Sequence, residues 1–219
     1  MSGALEDERR GAGGKAGERL TRLLVEAELP QLDPSVIQKF ETYLALLLRW
    51  NGRTNLTAIR DENGILKRHF VESIACAKAL PPGITSLLDF GSGGGLPGIP
   101  IALCRPEIAV TLAESQGKKA AFLQEAVRML QLRSRVHVGR AERLKESFGC
   151  VTLRAVDRME EAVAMAQSLV SSEGWLGLLT SREDARGLKN AAGGEFSWTE
   201  PIRLPGSDQR ILLLGSRAR

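Results

Sequence analysis

The stretch LLDFGSGGGLPGIPIAL ends an apolar run in Asp89 and then sets Gly91, Gly93, Gly94, Gly95 and Gly98 ahead of a helical pattern. Glycines at a strand-to-helix junction let backbone N–H groups and a ligand approach closely, and they permit positive φ in the turn. Read from Gly93, the string matches G-x-G-x-x-G, a pattern that a purely structural turn also satisfies. No Gly-Lys-Ser/Thr follows, so it is not a phosphate loop. Asp89 makes the longer pattern D-x-G-x-G-x-G. Glu114 closes the next apolar run, where a carboxylate can accept both hydrogen bonds of a ribose diol. Glu142 follows the third run, in GRAER. Taken singly, Glu114 and Glu142 are equally well solvated strand-end charges. Together with the glycines they outline a crevice for a nucleoside carrying an amino acid. An acidic rim suits a sulfonium better than a pyrophosphate, which prefers a bare helix N-terminus and basic residues. S-adenosylmethionine is thereby favoured over NAD.

Other side chains invite chemistry less sharply. Lys118 and Lys119 open a helix, where cations oppose the dipole, a local cost that points to an anionic partner. Arg154 ends the apolar run CVTLR, at the sheet edge where α/β proteins bind ligands. His69, next to Phe70 on a helix, reads as either a packing residue or a catalyst. Asn51 and Asn55, in WNGRTNLT, read as turn and cap residues. Arg49, Arg53, Arg60, Lys67 and Arg68 cluster in the first third, as a phosphate track or as a solvated helix face.

The elements that must carry these groups change character along the chain. Residues 1–16 mix acids, bases and glycine and read as a flexible tail. Residues 17–80 read as a helical extension. Leu20, Leu23, Leu24 and Ala27 recur at helical spacing, and Asp33 and Pro34 start a longer helix with Val36, Ile37, Phe40, Tyr43, Leu44, Leu47 and Leu48 on one stripe. ILKRHFVESIACAKAL resumes the helical period, and Pro81-Pro82-Gly83 stops it. Residues 81–219 then alternate short apolar runs with amphipathic helices, which predicts an α/β fold with a mostly parallel, Rossmann-like sheet. The strands are ITSLLDF, AVTLAE, RVHV, CVTLR, GWLGLLT, EFSWTEPIRL and RILLLG. Only PGSD separates the last two, so they should close the sheet as an antiparallel hairpin.

With 43% hydrophobic and 26% charged residues, the chain suits a soluble globular protein, and no apolar run reaches membrane-spanning length. Cys76, Cys104 and Cys150 stand singly, without C-x-x-C or a histidine at ligand spacing, which argues against a disulfide framework and a zinc site. The net charge of +4 permits a polyanionic partner without demanding one.

Several blocks in order resemble the bacterial 16S ribosomal RNA guanine N7-methyltransferases, also called glucose-inhibited division protein B. They are RWNGRTNLTAIRD, RHFVES, DFGSGGGLPGIPIAL with the RPE that follows, ESQGKKAAFL, and LRAV after the fourth strand, and the resemblance spans roughly residues 20 to 215. It implies a seven-stranded class I methyltransferase sheet with an N-terminal helical extension. It further implies that Asp89, Gly91, Ser92, Gly93, Gly95 and Leu96 bind the cofactor, that Glu114 holds its ribose, and that Ala141 and Glu142 flank the adenine. Arg154 would serve cofactor and catalysis, with His69 beside it, and Arg53, Lys67, Arg68, Lys118 and Lys119 would meet the RNA. Three departures stand out: Thr180-Ser181 replaces a Lys-Gly pair common after the fifth strand, Glu72 is the acid after the helix histidine, and Gly149 replaces an aspartate. Guanine N7 carries a free lone pair and no proton, which agrees with the lack of an acid-base dyad. The expected partner is 16S rRNA in the small subunit or its precursor, and the expected protein is a cytoplasmic monomer without metal or membrane. The alternatives are a cofactor-sensing RNA-binding protein without catalysis, and a methyltransferase acting on a small molecule or protein.

Overall fold

Pro34, with φ pre-set for the first turn of a helix, opens α2 (Pro34–Asn51), which follows α1 (Gly3–Glu26) in a computed structural model that describes residues 3–218. Asp33 occupies the N-cap position, but its side chain makes no capping bond. Helix α2 buries Phe40, Tyr43, Leu44, Leu46 and Leu47, close to the expected stripe. The backbone is helical from Gly3 on, within the stretch of residues 1–16 that reads as a tail in the sequence. Met1 and Ser2 lie outside the described residues. Ala16, Leu20 and Leu24 are the points at which α1 enters the core.

A short turn, α3 (Glu62–Gly64), leads into a π-helical segment, Ile65–Phe70, and then α4 (Val71–Ala79). The wide turn is marked by Val71 N–H reaching back to Leu66 O. Such insertions concentrate at functional sites, and this one carries Lys67, Arg68 and His69.

The sheet follows as β1 (Ser86–Phe90), α5 (Gly98–Cys104), β2 (Ala109–Glu114), α6 (Gly117–Met129), β3 (Arg135–Val138), β4 (Phe148–Arg154), α7 (Met159–Ala166), β5 (Val170–Ser181), α8 (Ala185–Ala191), β6 (Phe196–Trp198), β7 (Ile202–Arg203) and β8 (Arg210–Arg217). The order is β3-β2-β1-β4-β5-β8-β6, with β7 also on β8. Strands β1 to β5 pair in parallel and β8 is antiparallel to β5. The single strand expected for EFSWTEPIRL is corrected to two. Trp198 faces Gly215 but Ile202 faces Leu212, a slip of one residue at Thr199–Pro201. Pro201 has no N–H for the ladder, so the strand bulges there.

Alternate residues of each strand enter opposite layers. Leu87, Leu112 and Leu212 share a core with α4, α5, α6 and the helical extension, while Leu88, Leu153 and Leu213 pack under α7 and α8. Each fully buried Leu or Phe contributes roughly 1.5–3 kcal/mol. Phe70 lies 5.1 Å from the rings of both Phe40 and Tyr43, which fastens the π-helical segment to α2. Among the described residues, no helix is long and apolar enough to cross a membrane.

Candidate active site

The strand order reverses between the parallel neighbours β1 and β4, and a crevice opens at the carboxyl ends of such strands. The glycine loop forms one lip. Gly93 has φ +52°, and its N–H donates to Glu114 Oε2 at 3.0 Å, a conformation that a side chain would strain. At Gly98 a Cβ would lie 2.4 Å from Leu112 Cδ2 and 2.7 Å from Asp89 Oδ2, so only glycine lets α5 start there. The Gly94 carbonyl accepts from Tyr43 Oη, tying the loop to α2.

Asp89 is buried beneath this loop, not on the cleft wall. Its carboxylate accepts from Gly98 N–H at 3.2 Å and Thr152 Oγ1 at 3.1 Å, and its carbonyl accepts from Ser92 Oγ. Burial pushes its carboxyl up to about 6 against the lowering effect of these donors. Gly95 also stands behind the wall, where its N–H donates to Ser92 O.

The cleft itself has a volume of about 810 Å³, and its wall includes Gly91, Ser92, Gly93, Leu96, Glu114, Ala141, Glu142 and Arg154. That is the size of a small-molecule site. Glu114 is buried, with Oε2 bonded to Gly93 N–H and Oε1 to Gln116 N–H at 2.7 Å. Glu142 pairs with Arg140 at 3.3 Å. The extension supplies a further wall, residues 55–60, shaped by Asn51: its Nδ2 donates to Thr57 O and Ile59 O, and its Oδ1 accepts from Leu56 and Thr57 N–H. Asn51 is thus a turn residue, as its sequence context suggests. Asn55 is at the cleft and accepts from Arg60. After β4, Ala155 and Arg158 both adopt φ +49°, a costly conformation for residues with a Cβ, in a turn that borders the cleft.

His69 and Arg154 meet at the cleft. Arg154 donates to Arg68 O at 2.7 Å, Glu72 Oε2 at 3.0 Å, His69 Nδ1 at 3.0 Å and Ser73 Oγ at 3.2 Å. Because a guanidinium only donates, Nδ1 accepts, and the ring proton resides on Nε2, 2.5 Å from Thr57 Oγ1. Burial first, then the Arg154 and Arg210 charges, lower the imidazole to about 3. His69 is therefore neutral near pH 7. Arg154, itself lowered to about 10 by burial, stays charged.

Of the expected RNA contacts, Lys119 reaches the cleft wall; Arg53, Lys67, Arg68 and Lys118 are exposed outside it. Arg49 pairs with Glu125 instead. Sequence reasoning missed Tyr43 and Thr57 as site supports, saw Glu72 only as a departure, and missed Arg210. Arg210 faces Ser181 across the β5–β8 pair, so a cation occupies the sheet end where the sequence lacks a lysine. That cross-strand relation has no local mark in the sequence.

The fold is similar to a predicted O-methyltransferase from Agrobacterium tumefaciens, with TM-score 0.55 and 20% identity over 68% of this chain and 81% of that one. It is similar also to a methyltransferase from Pyrococcus furiosus, with TM-score 0.57 and 12% identity over 67% of this chain and 83% of that one. These likenesses concern the fold. In sequence, the chain is 38% identical over 198 residues to the ribosomal RNA small subunit methyltransferase G of Roseiflexus sp. (strain RS-1), covering 84% of each. To the protein of that name from Stenotrophomonas maltophilia (strain K279a) it is 41% identical over 182 residues, covering 80% of this chain and 84% of that one. The family model described as rRNA small subunit methyltransferase G matches residues 36–194, a span that holds the glycine loop, Glu114, His69 and Arg154. On that match and those identities, the chain belongs to the GidB family, rRNA small subunit methyltransferase G.

Proposed function

We propose that the protein transfers a methyl group from S-adenosylmethionine to N7 of a guanine in 16S ribosomal RNA. Family membership supports the reaction class and the RNA substrate. The observation that carries the choice of atom is the state of His69, neutral and with both ring nitrogens engaged. Methylation of an exocyclic amine or a 2′-hydroxyl needs a proton removed; N7 has none to lose. When bound, S-adenosylmethionine supplies a methyl on a positively charged sulfonium.

The residues present fit that donor. Each Glu114 oxygen accepts one backbone N–H and keeps a lone pair for a ribose hydroxyl. Gly91, Ser92, Gly93 and Leu96 leave room along the loop, Ala141 and Glu142 would flank the adenine, and Arg154, whose donors are engaged by its own neighbours, would lend its charge at the methionine end. Asp89 and Gly95 act from behind, by holding the loop and α5. Catalysis rests on orientation, which contributes on the order of 7 to 11 kcal/mol at best. In this reading residues 81–219 form the methyltransferase domain and residues 17–80 an RNA-facing extension. Arg53, Lys67, Arg68, Lys118 and Lys119 meet phosphates, and the protein works as a monomer in the cytoplasm, where subunits are assembled.

The test is mass spectrometry of digested small-subunit RNA from cells with and without the gene, with reduction and aniline cleavage to mark N7-methylguanine. The expected result is a 7-methylguanosine that vanishes with the gene. A different methylated atom overturns the regiochemistry; RNA and donor binding without transfer would leave a cofactor-sensing RNA-binding protein.

A further inference from the structure

Glu72 is a buried carboxylate, 1% exposed, enclosed by three guanidiniums from three separate elements. Arg154 of β4 lies 3.0 Å away and Arg68 of the π-helical segment 3.6 Å away, and Arg210 of β8 is in direct contact. None of the three makes another ion pair among the described residues; with Asp89, whose charge acts on Arg154 without direct contact, two negative charges stand against three positive ones. The three differ in where they point their remaining donors. Arg154, 10% exposed, spends its donors inward on Ser73, Arg68 O and His69 as well as Glu72. Arg68, 46% exposed, and Arg210, 23% exposed, reach solvent. They touch each other through Arg210 Nη2 and Arg68 O at 3.4 Å, and Arg210 Nε is buried without a hydrogen-bond partner.

We propose that Arg68 and Arg210 together take one phosphate of the RNA backbone beside the target guanine. This rests on the reading of the protein as an rRNA methyltransferase. Two adjacent guanidiniums short of one counter-ion match the geometry of a phosphate, which accepts paired N–H bonds from such forks. The methyl donor contains no phosphate, so within this reaction the anion comes from the RNA. The place agrees: Arg68 adjoins His69 on the cleft wall, and Arg210 faces Ser181 at the same end of the sheet. Burial is the first cause that lowers Arg210, Arg154 and His69; the charge of Arg68 adds to it in all three, and those of Arg154 and Arg210 add to it at His69. An anion at this point relieves that repulsion. Glu72 is the positioning residue that gathers the three.

The experiment measures affinity of the full chain for small-subunit RNA between about 50 and 200 mM salt. Binding of S-adenosylhomocysteine is followed in parallel by calorimetry. R68Q alters an exposed side chain and keeps the fold. R210Q removes one partner of Glu72, so R210K serves beside it as the variant that keeps the charge. R68Q and R210Q are each expected to weaken RNA binding about tenfold at the lower salt. Each should also flatten the slope of log affinity against log salt by about 0.7 to 0.9, one phosphate contact, while R210K keeps the slope. Parental affinity and slope in both R68Q and R210Q overturn the proposal, as does a loss confined to S-adenosylhomocysteine binding. The wild-type chain assayed for methyl transfer to the same RNA separates the two levels. Transfer with unchanged variants rejects the phosphate site alone; absence of transfer and of RNA binding rejects the rRNA reading, and the phosphate site with it.

Discussion

His69 is held by a donor on one ring nitrogen and by the Thr57 hydroxyl on the other, and this decides how it responds to pH. Above about 6.5 the ring is neutral in both folded and unfolded chains. Between that value and about 3 the unfolded chain takes a proton that the folded one refuses, so stability falls as pH falls through this window. Asp89, raised to about 6, has the opposite sign: its folded form takes a proton first, so its contribution falls as pH rises through about 6. In a comparison of His69→Asn with the wild type, the Asp89 effect cancels. The gap in melting temperature between the two should be widest near pH 7 and narrow toward pH 4; a gap that does not depend on pH rejects the buried neutral imidazole. In catalysis, loss of a true general base typically costs 10²- to 10⁴-fold. His69→Ala should slow single-turnover transfer only by loosening Arg154 and Thr57, and the rate should show no ionisation near 6.5 in either protein. Glu114→Ala should weaken S-adenosylhomocysteine binding by about 1 to 3 kcal/mol in calorimetry. It should also lower the melting temperature, because Gly93 and Gln116 lose their acceptor; unchanged affinity in a folded variant removes Glu114 from the site.

At the scale of elements, the cleft depends on segments that touch no reacting atom. Asn51 makes four hydrogen bonds that shape residues 55–60, and its removal strands buried backbone groups, each worth about 1 to 3 kcal/mol. Asn51→Ala is expected to lower stability by at least one such increment in urea unfolding and to weaken donor binding. A stable variant with intact affinity shows that the wall holds itself. This scale also shows what a sequence displays. β2 and β3 match the expected strands end to end: β2 is a mostly apolar run buried inside the parallel sheet, and β3, at the sheet edge, alternates Arg135 and His137 with Val136 and Val138. The glycine loop and Glu114 were legible because their chemistry is local. The π-helical turn was not, since a six-residue segment with i→i+5 bonds leaves no period of its own. Nor was the meeting of Glu72, Arg154 and Arg210, which depends on a sheet order that carries β8 next to β5. Asp89, expected at the cofactor from the resemblance, is buried beneath the loop, because the start of α5 covers the strand end.

For the whole molecule, the net charge of +4 understates the asymmetry, because Arg53, Lys67 and Arg68 project from the extension and Lys118 and Lys119 from the start of α6. RNA affinity should fall steeply with salt, and joint replacement of Arg53 and Lys67 by glutamine should flatten the slope. A salt-independent affinity, or a double variant with the parental slope, makes that face an ordinary solvated surface. The core described above runs without interruption from Leu20 and Phe40 through Tyr43 and Leu47 to Leu87 and Leu112 of the sheet and Phe122 of α6. The extension is therefore no hinged jaw. It should melt with the sheet in one cooperative transition, and a second transition in urea would contradict this. Two walls that share one core leave adjustment to the substrate, so RNA already folded to present its guanine is expected to bind more tightly than the same sequence unfolded.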